Sequence, residues 1–174
     1  MRTLYLVRHA KSSWKDAELS DMKRPLNKRG KRDAPKIGNL LRKRNEIPDL
    51  IISSPAKRAF STAKRFAKGL KYPGKKIATK KQLYMGSSEN FIGVISQAEK
   101  KFKSIMLIGH NPGLTEFVNE ISGENIDNIP TSGVVRIDFD IDEWGEIKNS
   151  KGKMIFFEYP KKEKATTETQ RRKE

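Results

Sequence analysis

The chain contains no cysteine and only two histidines in 174 residues. The first absence rules out a disulfide framework and fits a reducing cytoplasm. The second bears on metals: neither His9 nor His110 has the spacing of a zinc pair, and no carboxylate lies three or four residues from either one. A resident metal is therefore not expected. No apolar run approaches the ~20 residues that cross a bilayer, and the N-terminus lacks the basic region, apolar stretch and small-residue cleavage site of a signal peptide. A soluble cytoplasmic protein without a membrane partner is the expectation. Internal repeats are absent, as is any linker-like stretch within the body of the chain. Acidic residues are few, 21 against 37 Lys and Arg, and the formal charge of +16 implies attraction to something anionic. Phosphate esters, acidic protein surfaces, nucleic acid and anionic lipid all satisfy that, and charge does not choose among them.

What the sequence does have is concentrated near its start. Leu4-Tyr5-Leu6-Val7 is an apolar run that ends in Arg8 and His9, and such a run reads as a strand of a parallel sheet buried on both faces. In sheets of that kind ligands bind beyond the carboxyl ends of the strands, where Arg8 and His9 would emerge. A second run, Ile105-Met106-Leu107-Ile108, leads through Gly109 to His110. Two strands thus each deliver a histidine. A third run, Leu50-Ile51-Ile52-Ser53, is followed by Ser54-Pro55, read as a hydroxyl cap and first-turn proline opening a helix that carries Arg58 in its first turn. A cation at the positive end of a helix is unexpected on dipole grounds, and an anion held there explains it.

Apolar spacing predicts four helices around these strands. The first carries Ala34, Ile37, Leu40 and Leu41, with Pro35 expected in its first turn or at a kink. The second carries Ala59, Phe60, Ala63, Phe66 and Ala67 and should stop at Gly69. A third, capped from Ser87 and Ser88, runs from Phe91 to Phe102, and a fourth, opened by Pro112, buries Leu114, Phe117, Val118 and Ile121. Lys75 to Tyr84 should hold a short strand with an irregular continuation. Val134 to Phe139 alternates as a half-exposed strand does, and Lys153 to Tyr159 reads as a final edge strand. Residues 1–160 are therefore expected to form a single α/β domain, a mostly parallel central sheet flanked by helices on both faces. Residues 161–174 carry no large apolar side chain and read as a basic, disordered tail.

Drawn from three strand ends, Arg8, His9, Arg58 and His110 would make a cationic pocket with a nucleophile in it. Two guanidiniums present planar, bidentate donors to phosphoryl oxygens, and one imidazole can attack while the other donates to an oxygen. His9 is assigned the first role and His110 the second, with a phosphate beside His110 favouring its charged form. The loop after His9 adds Ser12 and Lys15, with Lys11 and Ser13, as further anion donors. Glu89, in the first turn of a helix, complements the helix dipole.

Three segments in this order, Leu6-Val7-Arg8-His9-Ala10, Ser53-Ser54-Pro55 with Arg58-Ala59 and Thr62-Ala63, and Gly109-His110-Asn111-Pro112, together resemble the histidine phosphatase superfamily. The compact length and Arg8-His9-Ala10-Lys11 are most similar to the SixA-type phosphohistidine phosphatases of its first branch. The resemblance implies a phosphoglycerate mutase-like fold and a phosphoryl group carried on His9, its oxygens bound by Arg8, Arg58 and His110. It also implies hydrolysis by water with neither metal nor cofactor. Leu26 and Gly30 match the family's loop-to-helix signature as structural residues, and Asn111 shapes the turn after His110. One departure matters: many members carry a carboxylate after the third strand that protonates an alcohol leaving group, whereas Lys81-Gln82-Leu83-Tyr84-Met85-Gly86 has none. A protonated imidazole leaves more readily than an alkoxide, so the departure favours a phosphohistidine protein as substrate. Glu89 or Asp16 remains a candidate proton donor. A broad small-molecule phosphomonoesterase is the alternative within the superfamily, and a noncatalytic phosphate or nucleic-acid binder is the alternative outside it. Nucleic acid fits the charge but not the aromatics, which occupy core positions and offer no stacking platform. Oligomeric state is left open.

Overall fold

A computed structural model describes residues 1–160, so the expected tail lies outside the described residues. The elements in chain order are β1 (Arg2–Arg8), α1 (Lys28–Lys43), β2 (Leu50–Ser53), α2 (Lys57–Leu70), β3 (Ala78–Thr79), α3 (Ser88–Ser96), β4 (Ser104–Gly109), α4 (Gly113–Ser122), β5 (Val134–Phe139) and β6 (Lys153–Glu158). They build one six-stranded sheet in the order β3-β2-β4-β1-β5-β6. The four strands from β3 to β1 are parallel, and β5 and β6 add an antiparallel edge. Among the described residues no helix is long and apolar enough to cross a membrane.

The apolar runs at β1 and β4 exist because both faces of these strands are covered. Leu4 and Leu6, with Ile105 and Leu107 of β4, belong to the core beneath α3 and α4. Tyr5 and Val7, with Met106 and Ile108, belong to the opposite core beneath α1 and α2. An alternating pattern would have left one face polar, so the continuous run is what a central parallel strand requires. β5 does alternate: Val135, Ile137 and Phe139 enter the α3–α4 core, while Arg136 and Asp138 face the other way and pair with each other at 2.8 Å. Arg136 also donates to Glu46 at 2.8 Å, tying β5 to the end of α1.

Helices α1 and α2 approach backbone to backbone. A Cβ on Gly38 would stand 2.7 Å from the Phe66 carbonyl, and one on Gly69 would stand 2.7 Å from the Pro35 carbonyl, so only glycine fits either position. Here the structure corrects the sequence reading. Gly69 serves close packing, and α2 continues to Leu70 before Lys71 takes the left-handed cap at φ 58°. Pro35 lies well inside α1, because the helix begins earlier, where the Asn27 side chain accepts from the Gly30 N–H at 2.9 Å. The third helix is shorter than its apolar spacing suggests: α3 ends at Ser96, and Phe102 sits in the loop before β4. The segment from Lys75 to Tyr84 contains the end of a 3-10 turn at Gly74–Lys76, a two-residue strand, β3, and a second 3-10 turn at Lys81–Leu83 that brings Tyr84 toward the strand ends.

Candidate active site

β1 and β4 lie in register, with Arg8 opposite Gly109, so the residues that follow leave the sheet side by side. The His9 N–H donates to the Gly109 carbonyl at 3.1 Å, and the two imidazole ring centroids stand 5.2 Å apart. β2 ends beside them, its Ser54 N–H donating to the Ile108 carbonyl at 3.0 Å. Arg58 enters from the first turn of α2. That turn is braced against β1, because Thr62 Oγ1 donates to the Arg58 carbonyl at 2.7 Å and accepts from the Ala10 N–H at 2.8 Å. Gly30 supplies a second brace: a Cβ there would stand 2.2 Å from the Lys11 carbonyl, so α1 can press its first turn against the loop after His9. Arg8, His9, Arg58 and His110 together line one pocket of about 410 Å³.

The hydrogen bonds fix the chemistry of the first imidazole. His9 Nδ1 lies 2.8 Å from the Ala10 carbonyl, which can only accept. Nδ1 therefore carries the proton, and Nε2 keeps the lone pair of a neutral ring. His110 is held differently, with Nε2 2.7 Å from the Ser54 hydroxyl and Nδ1 buried without a partner. Arg8 shares this trait: Nη1 donates to the Ile129 carbonyl at 2.9 Å, while Nε is buried and unpaired. Unpaired buried donors are uncommon, because each forfeits its bonds to water.

Burial, reinforced by Arg58, Arg8 and Arg24 and opposed by the Ala10 carbonyl, pushes His9 down to about 4. Burial, then the neighbouring His9 and Arg58, pushes His110 down to about 3. The protein's own groups thus keep both rings neutral near pH 7. The charged form expected of His110 is the one with a phosphate against the ring.

Other expected residues stand elsewhere. Ser12 lines the pocket, but its hydroxyl accepts from Arg24 Nη2. Lys15 is exposed and does not line the pocket, whereas Lys11 does. Glu89, in the first turn of α3, lines a separate depression of about 140 Å³ with Lys80 and Gln82 and is not among the residues lining the histidine pocket. The Asp16 carboxylate is exposed and accepts from the Glu18 N–H at 3.1 Å. Ser54 is not the cap of α2, whose N-cap is Ala56. Asn111 shapes its turn, Oδ1 accepting from the Thr115 N–H and hydroxyl at 3.2 and 2.8 Å, although it also borders the pocket.

Sequence reasoning missed Asp21, Arg24, Tyr84 and the Ser54 hydroxyl. Asp21 accepts from Arg58 Nη2 at 2.8 Å, Arg24 Nη1 at 3.1 Å and the Tyr84 hydroxyl at 2.7 Å. The Tyr84 hydrogen bond, with those of Arg58 and Arg24, holds its carboxyl down at about 2 against the effect of burial. Arg24 in turn stacks on Trp14, its guanidinium carbon 3.2 Å from a ring centroid. The loop from Lys11 to Lys23 has no period to read. The available signal was the Arg24-Pro25-Leu26 step, a buried cation just before a helix.

The arrangement can bind an anion and present a neutral imidazole nitrogen to it. The family model for branch 1 of the histidine phosphatase superfamily matches residues 4–103. An uncharacterized chloroplastic protein of Arabidopsis thaliana is 33% identical over 133 residues, which are 72% of this chain; the chain spans 61% of that relative's length. An uncharacterized protein of Mycobacterium tuberculosis is 26% identical over 165 residues, 89% of this chain and all of that protein. Among solved structures, one assigned to the phosphohistidine phosphatase SixA of Agrobacterium tumefaciens superposes with a TM-score of 0.78 at 30% identity, covering 91% of this chain and 98% of that one. A SixA structure complexed with tungstate gives 0.77 at 22% identity, covering 91% and 97%, and at that identity it speaks to the fold alone. By the model match and this similarity, the chain belongs to branch 1 of the histidine phosphatase superfamily.

Proposed function

We propose that this pocket is the active site of a metal-independent phosphatase working through a phosphohistidine on His9, with protein-bound phosphohistidine as its substrate. Membership of the superfamily and the SixA likeness support the broader reading, a hydrolase acting on phosphate esters. The observation that carries the mechanism is the 2.8 Å contact between His9 Nδ1 and the Ala10 carbonyl, which leaves the Nε2 lone pair for attack.

His9 Nε2 attacks phosphorus, a P–N bond forms, and the bond to the leaving group breaks with its electron pair going to that group. Arg8 and Arg58 hold the phosphoryl oxygens, and charge building on them is offset by two guanidiniums that are already fixed in place. His110, beside His9 in the same pocket, adds a ring that can donate to such oxygens. Water then attacks the phosphohistidine, the P–N bond breaks, and inorganic phosphate leaves with His9 neutral again.

The substrate class follows from the leaving group. Asp21 is the one carboxylate among the residues lining the pocket, and at about 2 it holds no proton near neutral pH. An alcohol would depart as a poor alkoxide without a donor. A phosphohistidine protonated on its other ring nitrogen departs as neutral imidazole and needs none. A protein as carrier fits the mouth of the pocket, where Trp14 and Met85 are 74% and 58% exposed and border the opening. The A. tumefaciens structure named for SixA is consistent with this choice.

The test is a parallel assay of a phosphohistidine-bearing protein, a sugar phosphate and a nucleotide monophosphate, with chelator present throughout. The proposal expects kcat/KM for the phosphohistidine protein to exceed the others by about 10²-fold or more. Preference for a carbon–oxygen phosphate would make the enzyme a small-molecule phosphomonoesterase, and binding without turnover of any would make the pocket a phosphate-binding module.

A further inference from the structure

Arg58 spends both of its terminal nitrogens on one residue. Nη1 donates to the Asp21 carbonyl at 2.6 Å and Nη2 to its carboxylate at 2.8 Å. The same carboxylate receives Arg24 Nη1 and the Tyr84 hydroxyl. Two guanidiniums converging on paired carboxylate oxygens, at the pocket that also holds His9 and His110, form a donor set that a phosphoryl group would use, and the phenol steadies the carboxylate. The anion now seated there is the protein's own.

The two partners differ in freedom. The Arg58 side chain is 4% exposed and anchored in the first turn of α2, whereas the Asp21 side chain is 44% exposed. Asp21 sits on a 3-10 turn, Asp21–Lys23, in the long loop between β1 and α1. Burying Arg58 without a counter-charge is costly, so some anion must accompany it whenever substrate does not. Nothing in the transfer chemistry needs a carboxylate at that point, and Asp21 holds no proton to give. Its geometry is that of a displaceable counter-ion.

Resting on the phosphatase reading above, we propose that Asp21 is a positioning residue that occupies the Arg58 fork until a phosphoryl group displaces it, weakening the protein's hold on phosphate and easing product release. Every bound phosphoryl group first breaks the Asp21 contacts, so affinity falls uniformly for substrate and product while the transition state still finds Arg58 aligned. Tyr84 holds the counter-ion in place and is not a ligand of the phosphoryl group in this scheme.

The test is calorimetric titration of inorganic phosphate into the full chain, wild type against Asp21→Asn and Tyr84→Phe, with steady-state kinetics on the same proteins. Asp21→Asn keeps an acceptor for Arg58 and removes the competing charge. Its Kd for phosphate should tighten by about tenfold, with KM falling in parallel and kcat not rising. Tyr84→Phe removes one anchor of the counter-ion and should tighten Kd by about threefold. A merely structural Asp21 would instead loosen phosphate binding and lower kcat on substitution. Unchanged or weaker phosphate binding in Asp21→Asn, at a melting temperature like that of the wild type, overturns the inference; should that variant melt early, the same result in Tyr84→Phe overturns it. Failure of the wild type itself to bind phosphate overturns the pocket reading beneath it.

Discussion

The ends of β1 and β4 look alike and are wired differently. Both strands are parallel, in register, buried on both faces, and followed by a histidine. At β1 the imidazole is held by the backbone, through Ala10, and its tautomer is set by an atom no substitution removes. At β4 it is held by a side chain from a third strand end, Ser54, whose hydroxyl can donate or accept. The first arrangement suits a group that always presents the same lone pair. The second suits a group that donates to a phosphoryl oxygen and changes charge as the anion arrives and leaves. On the proposed mechanism, one hydrogen bond each makes nucleophile and donor of equivalent positions in a sheet.

This contrast can be broken by mutation, with effects expected in descending order. His9→Ala removes the nucleophile and should lower kcat by about 10⁴-fold or more, measured on a phosphohistidine protein. A residual rate near that of the wild type would assign the chemistry to another group. His110→Ala removes a donor to the developing charge and should lower kcat by about 10²-fold, leaving a detectable phosphoenzyme. Equal losses in the two alanine variants, with no phosphoenzyme in either, would erase the distinction between them.

Ser54→Ala leaves His110 Nε2 without its partner and should cost about tenfold in kcat, with Ser54→Thr restoring most of it. An unaffected kcat in Ser54→Ala would mean that the hydroxyl only packs the turn. The pH profile sharpens the comparison further. Because His9 is held down at about 4, the acid limb of kcat/KM should fall near pH 4 instead of near the ordinary histidine value, and activity should persist at pH 5. An acid limb at about 6.5 would argue that the nucleophile is not a buried imidazole.

The same lowered pKa values bear on stability. Both histidines bind fewer protons folded than unfolded, so as pH falls from about 6.5 toward 4 the unfolded state gains protons first and the melting temperature should drop. The His9→Asn and His110→Asn double variant should show a flatter decline over the same window.

How much of this was legible follows from how locally each feature is encoded. β1 and β4 are readable because burial on both faces forces a continuous apolar run, and Arg8, His9 and His110 are readable because they interrupt it. Arg58 is readable as a charge at the wrong end of a helix. The family model stops at residue 103, before His110, so the pairing of the two histidines rests on sheet register. Asp21 and Tyr84 could not be found that way. They lie 63 residues apart in a loop without period and after a two-residue strand, and their relation to Arg58 exists only in three dimensions. Gly69 misled for a similar reason: a helix-ending residue and a helix-packing residue look alike until the Pro35 carbonyl stands beside it. Ser54 reads as a cap, being a hydroxyl before a proline, and only the neighbouring strand end reveals the imidazole it meets.

The most direct measurement of the central claim is to trap the phosphoenzyme. The protein is mixed with a ³²P-labelled phosphohistidine protein, quenched in alkali, and digested, and the labelled peptide is sequenced with its phosphohistidine isomer determined by NMR. The account requires base-stable, acid-labile label on the Nε2 nitrogen of His9, absent from His9→Ala. Label on Nδ1 or on His110, or undiminished turnover in His9→Ala, would contradict it.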